Sequence, residues 1–85
     1  MIIKFFAEWC GPCKALSPLV DKVFGSVTEV DIDTPEGAKI AEKYRIRGVP
    51  TLLRVDADGE VTNIKVGQQT LGSLEEWKDS FKAFS

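Results

Sequence analysis

The residues best suited to chemistry in this 85-residue chain are its only two cysteines, Cys10 and Cys13, in the stretch Cys-Gly-Pro-Cys. Two cysteines at this spacing favour a redox pair over a structural disulfide framework. A structural zinc site usually takes four ligands, and the sequence has no histidine and no further cysteine. A metal ion or an iron–sulfur cluster shared between two chains remains an open alternative.

The elements around the pair explain how it would be positioned. Residues 2–7 are an apolar run that predicts a strand buried on both faces, and Gly11-Pro12 suits the first turn of a helix. Cys10 would then lie at a helix N-terminus, which favours an anion, so we expect the pKa of its thiol to lie below the ordinary value. Cys13 follows one turn later on the same face. This arrangement predicts an exposed, attacking Cys10 and a shielded, resolving Cys13.

The rest of the chain alternates between strand and helix patterns. Residues 27–33 predict a strand because apolar and polar residues alternate, and residues 48–55 predict another, introduced by Gly-Val-Pro. Asp56-Ala57-Asp58-Gly59 predicts a hairpin turn, after which residues 60–66 return as an antiparallel strand. Helices are predicted where apolar residues recur at helical spacing: one kinked at Pro18 and ended by Gly25, one begun by Thr34-Pro35, and one over 71–84. The order βαβαββα predicts a single α/β domain over residues 1–85, with right-handed crossovers joining the first three strands.

The last helix carries an apolar stripe that should face the core. Its members are Leu74, Trp77, Phe81 and Phe84, with Ser73 as the expected N-cap.

Composition and hydropathy limit which partners and which cellular location we expect. The net charge of −2 gives no electrostatic reason to expect binding to nucleic acid or to an anionic membrane. No apolar run approaches the ~20 residues that cross a bilayer, and the first residues do not resemble a signal peptide. For a complete chain, these features predict a cytoplasmic protein.

Several stretches together resemble the thioredoxin family. FFAEWCGPCK is similar to the family's active-site stretch, and Pro18 matches the kink proline of its helix. YRIRGVPTLL is similar to the segment that carries the family's cis-proline, which would be Pro50, and DGEV and KVGQQTLGSLEEW resemble its last hairpin and helix. The resemblance implies a minimal thioredoxin fold of glutaredoxin size, with a four-stranded mixed sheet flanked by three helices.

The resemblance also implies an activity, protein disulfide reduction. Cys10 would attack a substrate disulfide and Cys13 would resolve the mixed disulfide, without a bound cofactor or metal. A flavin reductase fed by NADPH, or another electron donor, would regenerate the dithiol, and the protein is expected to be a monomer. The implied substrate-binding groove consists of Trp9, Gly11, Pro12, Val49, Pro50, Val66, Gly67 and Gln68.

Three positions depart from the family pattern. Phe6 stands where the family usually has a second tryptophan, which would leave Asp33 without a nearby indole N–H. Lys4 and Glu29 stand where the family has a buried aspartate and its lysine partner, so the charges are inverted. We expect Lys4 and Glu29 to pair beneath Cys13, and Glu29 to accept the Cys13 proton. The alternative is that Lys4 extends into solvent at the start of the strand.

Two other functions remain to be weighed against a thioredoxin-type reductase. The small size suggests a glutaredoxin-like enzyme that uses glutathione, although such enzymes usually have Pro-Tyr between the cysteines. A thioredoxin-fold binding subunit of a larger enzyme would not need an intact Cys10–Cys13 pair. A Cys10→Ser variant distinguishes catalysis from scaffolding.

Overall fold

The computed structural model describes residues 1–81, and its elements follow the order βαβαββα. The strands are β1 (Ile2–Phe6), β2 (Thr28–Asp31), β3 (Thr51–Val55) and β4 (Val61–Val66). The helices are α1 (Gly11–Phe24), α2 (Pro35–Lys43) and α3 (Leu71–Ser80). β3 begins three residues later than the apolar pattern predicts, directly after Pro50, which has no N–H to offer a strand ladder.

The four strands form one mixed sheet in the order β2-β1-β3-β4. β1 and β2 are parallel and joined by α1, whereas β3 is antiparallel to β1 and β4 is antiparallel to β3. The crossover expected between the second and third strands is therefore wrong, because a helix between two strands does not oblige them to be parallel. The fold class is confirmed: an α/β fold with a four-stranded mixed sheet and three helices.

The central strand β1 is buried on both faces, as its apolar run predicts. Ile3 and Phe5 pack with Val55 and Ala41, on the face that α2 covers. Lys4 points to the opposite face, where α1 and α3 enclose the second core. Lys4 is only 3% exposed, so this charged side chain is part of the interior.

The ends of the helices are set by local hydrogen bonds. Gly25 ends α1 with a φ of 73°, a conformation that glycine adopts without strain. Thr34 caps α2 by accepting the Gly37 N–H at 2.9 Å. The expected N-cap of α3 is wrong by three residues: Thr70 is the cap, and Ser73 completes a reciprocal capping box with it.

The predicted stripe of α3 is found in part. Leu74 and Trp77 are buried, and Phe81 packs against the same core. Phe84 lies outside the described residues. Within residues 1–81, no helix is both long enough and apolar enough to cross a membrane.

Candidate active site

Cys10 and Cys13 lie at the start of α1 and form a disulfide, with their Cα atoms 5.2 Å apart. Cys10 is the N-cap of the helix, and its sulfur accepts the backbone N–H of Cys13 at 3.1 Å. Pro12 in the first turn costs no hydrogen bond, because the first N–H groups of a helix have no partner within it. The helix thus directs an N–H and the positive end of its dipole at the Cys10 sulfur, an arrangement that stabilises a thiolate.

The expected contrast in exposure between the two cysteines is wrong for the disulfide form. Cys10 is 4% exposed and Cys13 is 2% exposed. Both pack with Ala7, and the partly buried side chains of Phe6 and Val49 lie against them. The disulfide draws the two sulfurs together beneath these neighbours.

The segment before β3 and the end of β4 meet beside the disulfide. The Val49–Pro50 peptide bond is cis, and Val49 contacts the cysteine cluster. Gly67, directly after β4, donates its N–H to the carbonyl of Pro50 at 2.9 Å. The structure therefore joins two parts of the groove that are more than a dozen residues apart in the sequence.

Most residues of the implied groove lie at the surface around the disulfide. Trp9 is 69% exposed and Val66 is 63% exposed. Gly11, Pro12 and Gln68 are exposed as well, Val49 and Gly67 are partly exposed, and Pro50 is buried. An exposed aromatic ring beside a largely buried disulfide offers an apolar surface for a substrate chain.

The tryptophan ring at this surface is held by a hydrogen bond that contradicts one expectation. Trp9 Nε1 donates to Asp33 Oδ2 at 2.8 Å. Asp33 therefore has an indole partner although Phe6 replaces the second tryptophan. Trp9 lies in the turn after β1, where strand alternation no longer fixes the direction of a side chain.

Gln69 was not singled out from the sequence, yet it supports the segment that carries Val66 and Gly67 of the implied groove. Its side-chain amide donates to the carbonyls of Val66 and Gly67, at 3.1 and 3.3 Å. Its own oxygen accepts the Ser73 hydroxyl at 2.8 Å, which links the segment to the first turn of α3. The signal in the sequence is weak, because glutamine is common in exposed turns.

Lys4 and Glu29 form the expected ion pair. Lys4 Nζ lies 2.7 Å from Glu29 Oε1, and the two residues are direct neighbours in the parallel register of β1 and β2. The ammonium also donates to the hydroxyl of Ser17 and lies 5.6 Å from the centre of the Phe6 ring. Lys4 is thus enclosed and partnered, and the alternative that it extends into solvent is wrong.

The ion pair borders a cavity that reaches Cys13. The cavity has a volume of about 270 Å³, and Lys4, Glu29, Ser17 and Cys13 contribute to its wall. This volume is large enough for water, which needs only about 30 Å³ per molecule.

Within residues 1–81 there is no cluster of three or more histidine, cysteine, aspartate or glutamate residues that could hold a metal ion.

Comparison with known proteins gives a consistent result. The family model described as Thioredoxin matches residues 1–80. Thioredoxin of Rickettsia felis is 36% identical over 81 residues, which cover 91% of this chain and 76% of that protein. Thioredoxin of Rhodospirillum rubrum is 34% identical over 82 residues, which cover 92% and 78%.

Comparison of the fold with solved structures also finds thioredoxins. A mutant thioredoxin from Halobacterium salinarum superposes with a TM-score of 0.78 at 36% identity, covering 93% of this chain and 71% of that one. The reduced thioredoxin pre-protein of Schistosoma mansoni gives 0.77 at 32% identity, covering 94% and 76%.

These matches favour neither a glutaredoxin nor a non-catalytic binding subunit, since the family, its relatives and the intact cysteine pair point the same way. The family implies disulfide substrates and a reductase that supplies electrons. The chain belongs to the thioredoxin family and is a thiol–disulfide oxidoreductase.

Proposed function

We propose that the chain reduces protein disulfides, with Cys10 as the nucleophile and Cys13 as the resolving thiol. The observation that carries this assignment is the place of Cys10 as the N-cap of α1, where its sulfur accepts the Cys13 N–H. An anion on Cys10 is stabilised there, whereas Cys13 lies inside the first turn. Thiolate is the attacking species in disulfide exchange, so Cys10 attacks first.

The reaction consists of two exchanges. The Cys10 thiolate attacks one sulfur of the substrate disulfide, forming a mixed disulfide and releasing the other substrate sulfur as a thiolate. Cys13 then loses its proton and attacks the Cys10 sulfur. The second substrate sulfur leaves, and the Cys10–Cys13 disulfide holds the oxidising equivalent, so two electrons have passed to the substrate.

The groove supports the binding of an extended substrate segment. Val49 precedes the cis bond and lies against the cysteines, so its backbone can pair with an incoming chain in the manner of an added strand. Pro50 shapes this segment, and Trp9 and Val66 offer exposed apolar surface on either side. A substrate that binds through its backbone is selected by few of its own side chains, so we expect a broad range of protein substrates.

Lys4 and Glu29 serve the second exchange in this proposal. Cys13 must lose a proton in an interior site, and the cavity connects it with the carboxylate of Glu29. Glu29 is 52% exposed, so it can accept this proton through water in the cavity and pass it to solvent. Lys4 holds the carboxylate in place at 2.7 Å.

The proposal also covers the electron donor, the cellular location and the oligomeric state. We place the protein in the cytoplasm as a monomer, reduced by a flavin enzyme that uses NADPH. Both cysteines belong to the redox pair, and a chain with no other disulfide is suited to a reducing compartment.

The test is insulin reduction with two alternative regeneration systems, NADPH with thioredoxin reductase and glutathione with glutathione reductase. We expect turnover with the first system and little with the second. Cys10→Ser should abolish turnover, and Cys13→Ser should trap a mixed disulfide that mass spectrometry detects. Full turnover by Cys10→Ser would refute the assignment of the nucleophile.

A further inference from the structure

Ser17 connects the buried ammonium with the redox pair. It lies on α1 one turn after Cys13, and its hydroxyl accepts a hydrogen bond from Lys4 Nζ. The same hydroxyl donates to the carbonyl oxygen of Cys13 at 3.2 Å. A serine hydroxyl has one proton to donate and two lone pairs to accept with, so it can make both bonds at once. Ser17 thereby ties a cation to the backbone of the resolving cysteine.

The charge held near Cys13 is effectively positive. Lys4 is 3% exposed, whereas its partner Glu29 is 52% exposed. Solvent screens a half-exposed carboxylate much more than a buried ammonium, so the carboxylate cancels only part of the ammonium's field. Lys4, Ser17 and Cys13 share the wall of one cavity, so the ammonium and the resolving cysteine border the same space.

We propose that Ser17 is a positioning residue, which holds the Lys4 ammonium beside Cys13 and so stabilises the reduced form of the redox pair. The inference rests on the proposed function, in which Cys10 and Cys13 exchange two electrons with a substrate. Reduction breaks the S–S bond and yields two sulfurs that can be anionic, whereas the disulfide is uncharged. A nearby cation therefore favours the reduced pair when its sulfurs are thiolates, and Ser17 makes the disulfide easier to reduce under those conditions.

A purely structural role for Ser17 has different consequences. A serine that bonds to a carbonyl of the preceding turn slightly weakens a helix, and alanine is the better helix former. Ser17→Ala should therefore fold. If the hydroxyl mattered only for the helix, the variant would change the free energy of unfolding but not the equilibrium between dithiol and disulfide.

The test measures that equilibrium against glutathione in Ser17→Ala, Lys4→Met and the double variant. Ser80→Ala is the matched control, because the Ser80 hydroxyl also bonds to a carbonyl of its own helix, that of Trp77 at 2.6 Å. We expect Ser17→Ala to shift the equilibrium roughly fivefold toward the disulfide at a pH where Cys13 is a thiolate, as follows when a unit charge moves a few ångströms away at an effective dielectric constant of about 20. At a pH where Cys13 is protonated, the shift should be small. Ser80→Ala should cause no shift.

The double variant decides whether Ser17 acts through the ammonium. In the Lys4→Met background, Ser17→Ala should produce no additional shift. NMR titration of cysteines labelled at Cβ should show the Cys13 thiol ionising at higher pH in Ser17→Ala.

Three results would overturn the inference: a wild-type equilibrium in Ser17→Ala, an unchanged Cys13 titration, or an equal shift with and without Lys4. None of these touches the proposed function, which fails separately if Cys10→Ser still reduces insulin.

Discussion

Removing the charge of Lys4 and removing the charge of Glu29 should change the free energy of unfolding by different amounts. At 2.7 Å and an effective dielectric constant of about 20, the Coulomb attraction is about 6 kcal/mol. Desolvation opposes it by several kcal/mol per buried ion, and Lys4 at 3% exposure bears nearly all of this cost. The net contribution of the pair to stability is therefore small.

Lys4→Met removes the ammonium and keeps an apolar chain of similar length. Glu29 is left half-exposed and hydrated, so we expect the free energy of unfolding to stay within about 1 kcal/mol of wild type. Glu29→Gln instead leaves the buried ammonium without its counter-charge. Full burial of an unpaired charge costs about 3–5 kcal/mol, and solvent at the half-exposed partner reduces the expected loss to about 2 kcal/mol.

The measurement is urea unfolding of the reduced proteins, followed by circular dichroism. Glu8→Gln is a suitable control, since Glu8 also lines the cavity but forms no ion pair within residues 1–81. Lys4→Met combined with Glu29→Gln should resemble Lys4→Met alone. A Lys4→Met variant that loses as much stability as Glu29→Gln would refute this assignment of the desolvation cost.

Four further substitutions test individual contacts of the described structure. Trp9→Phe removes the indole hydrogen bond from an exposed ring, so we expect an unfolding free energy lower by about 1 kcal/mol and a higher KM for insulin. Gly37→Ala would overlap the backbone carbonyl of Asp31 and should cost more than about 3 kcal/mol. At Gly72 an added Cβ would meet only Thr70 Oγ1, at 3.9 Å, so Gly72→Ala should be neutral or stabilising by up to about 1 kcal/mol in urea unfolding. Gln69→Ala should raise KM and leave kcat unchanged in the same insulin assay, because it frees only the segment after β4; a fall in kcat alone would contradict that role.

Much of the fold could be predicted because its signals are local. The resemblance to the family predicted that Lys4 and Glu29 are partners, and the register of β1 and β2 confirms this pairing. The direction of β3 was not accessible, because the same pattern of strand, helix and strand suits a parallel or an antiparallel neighbour. The cap of α3 was misplaced because Thr70 and Ser73 are both good cap residues, and only the backbone shows which one precedes the first turn.

In the site, too, features with a local sequence signal could be predicted, and features that depend on distant elements could not. The Cys-Gly-Pro-Cys spacing identifies the redox pair, but the burial of Cys10 depends on side chains brought in from other elements, such as Val49. The bond between Trp9 and Asp33 spans 24 residues and depends on the direction of one ring. Ser17 carries a faint signal, four residues after Cys13 and so on the same helix face. Its bond to Lys4 becomes visible only when α1 is packed on β1.

Because β2 lies at the edge of the sheet, the charge of Glu29 has a second effect. Within residues 1–81, β2 is the outermost strand on its side of the sheet, so one row of its backbone groups has no strand partner among the described residues. The strand is only four residues long and carries two carboxylates, Glu29 and Asp31. Charges on a short edge strand oppose addition of a further strand. The residue that balances the buried ammonium should therefore also oppose strand addition at this edge, and neutralising it removes half of the strand's negative charge.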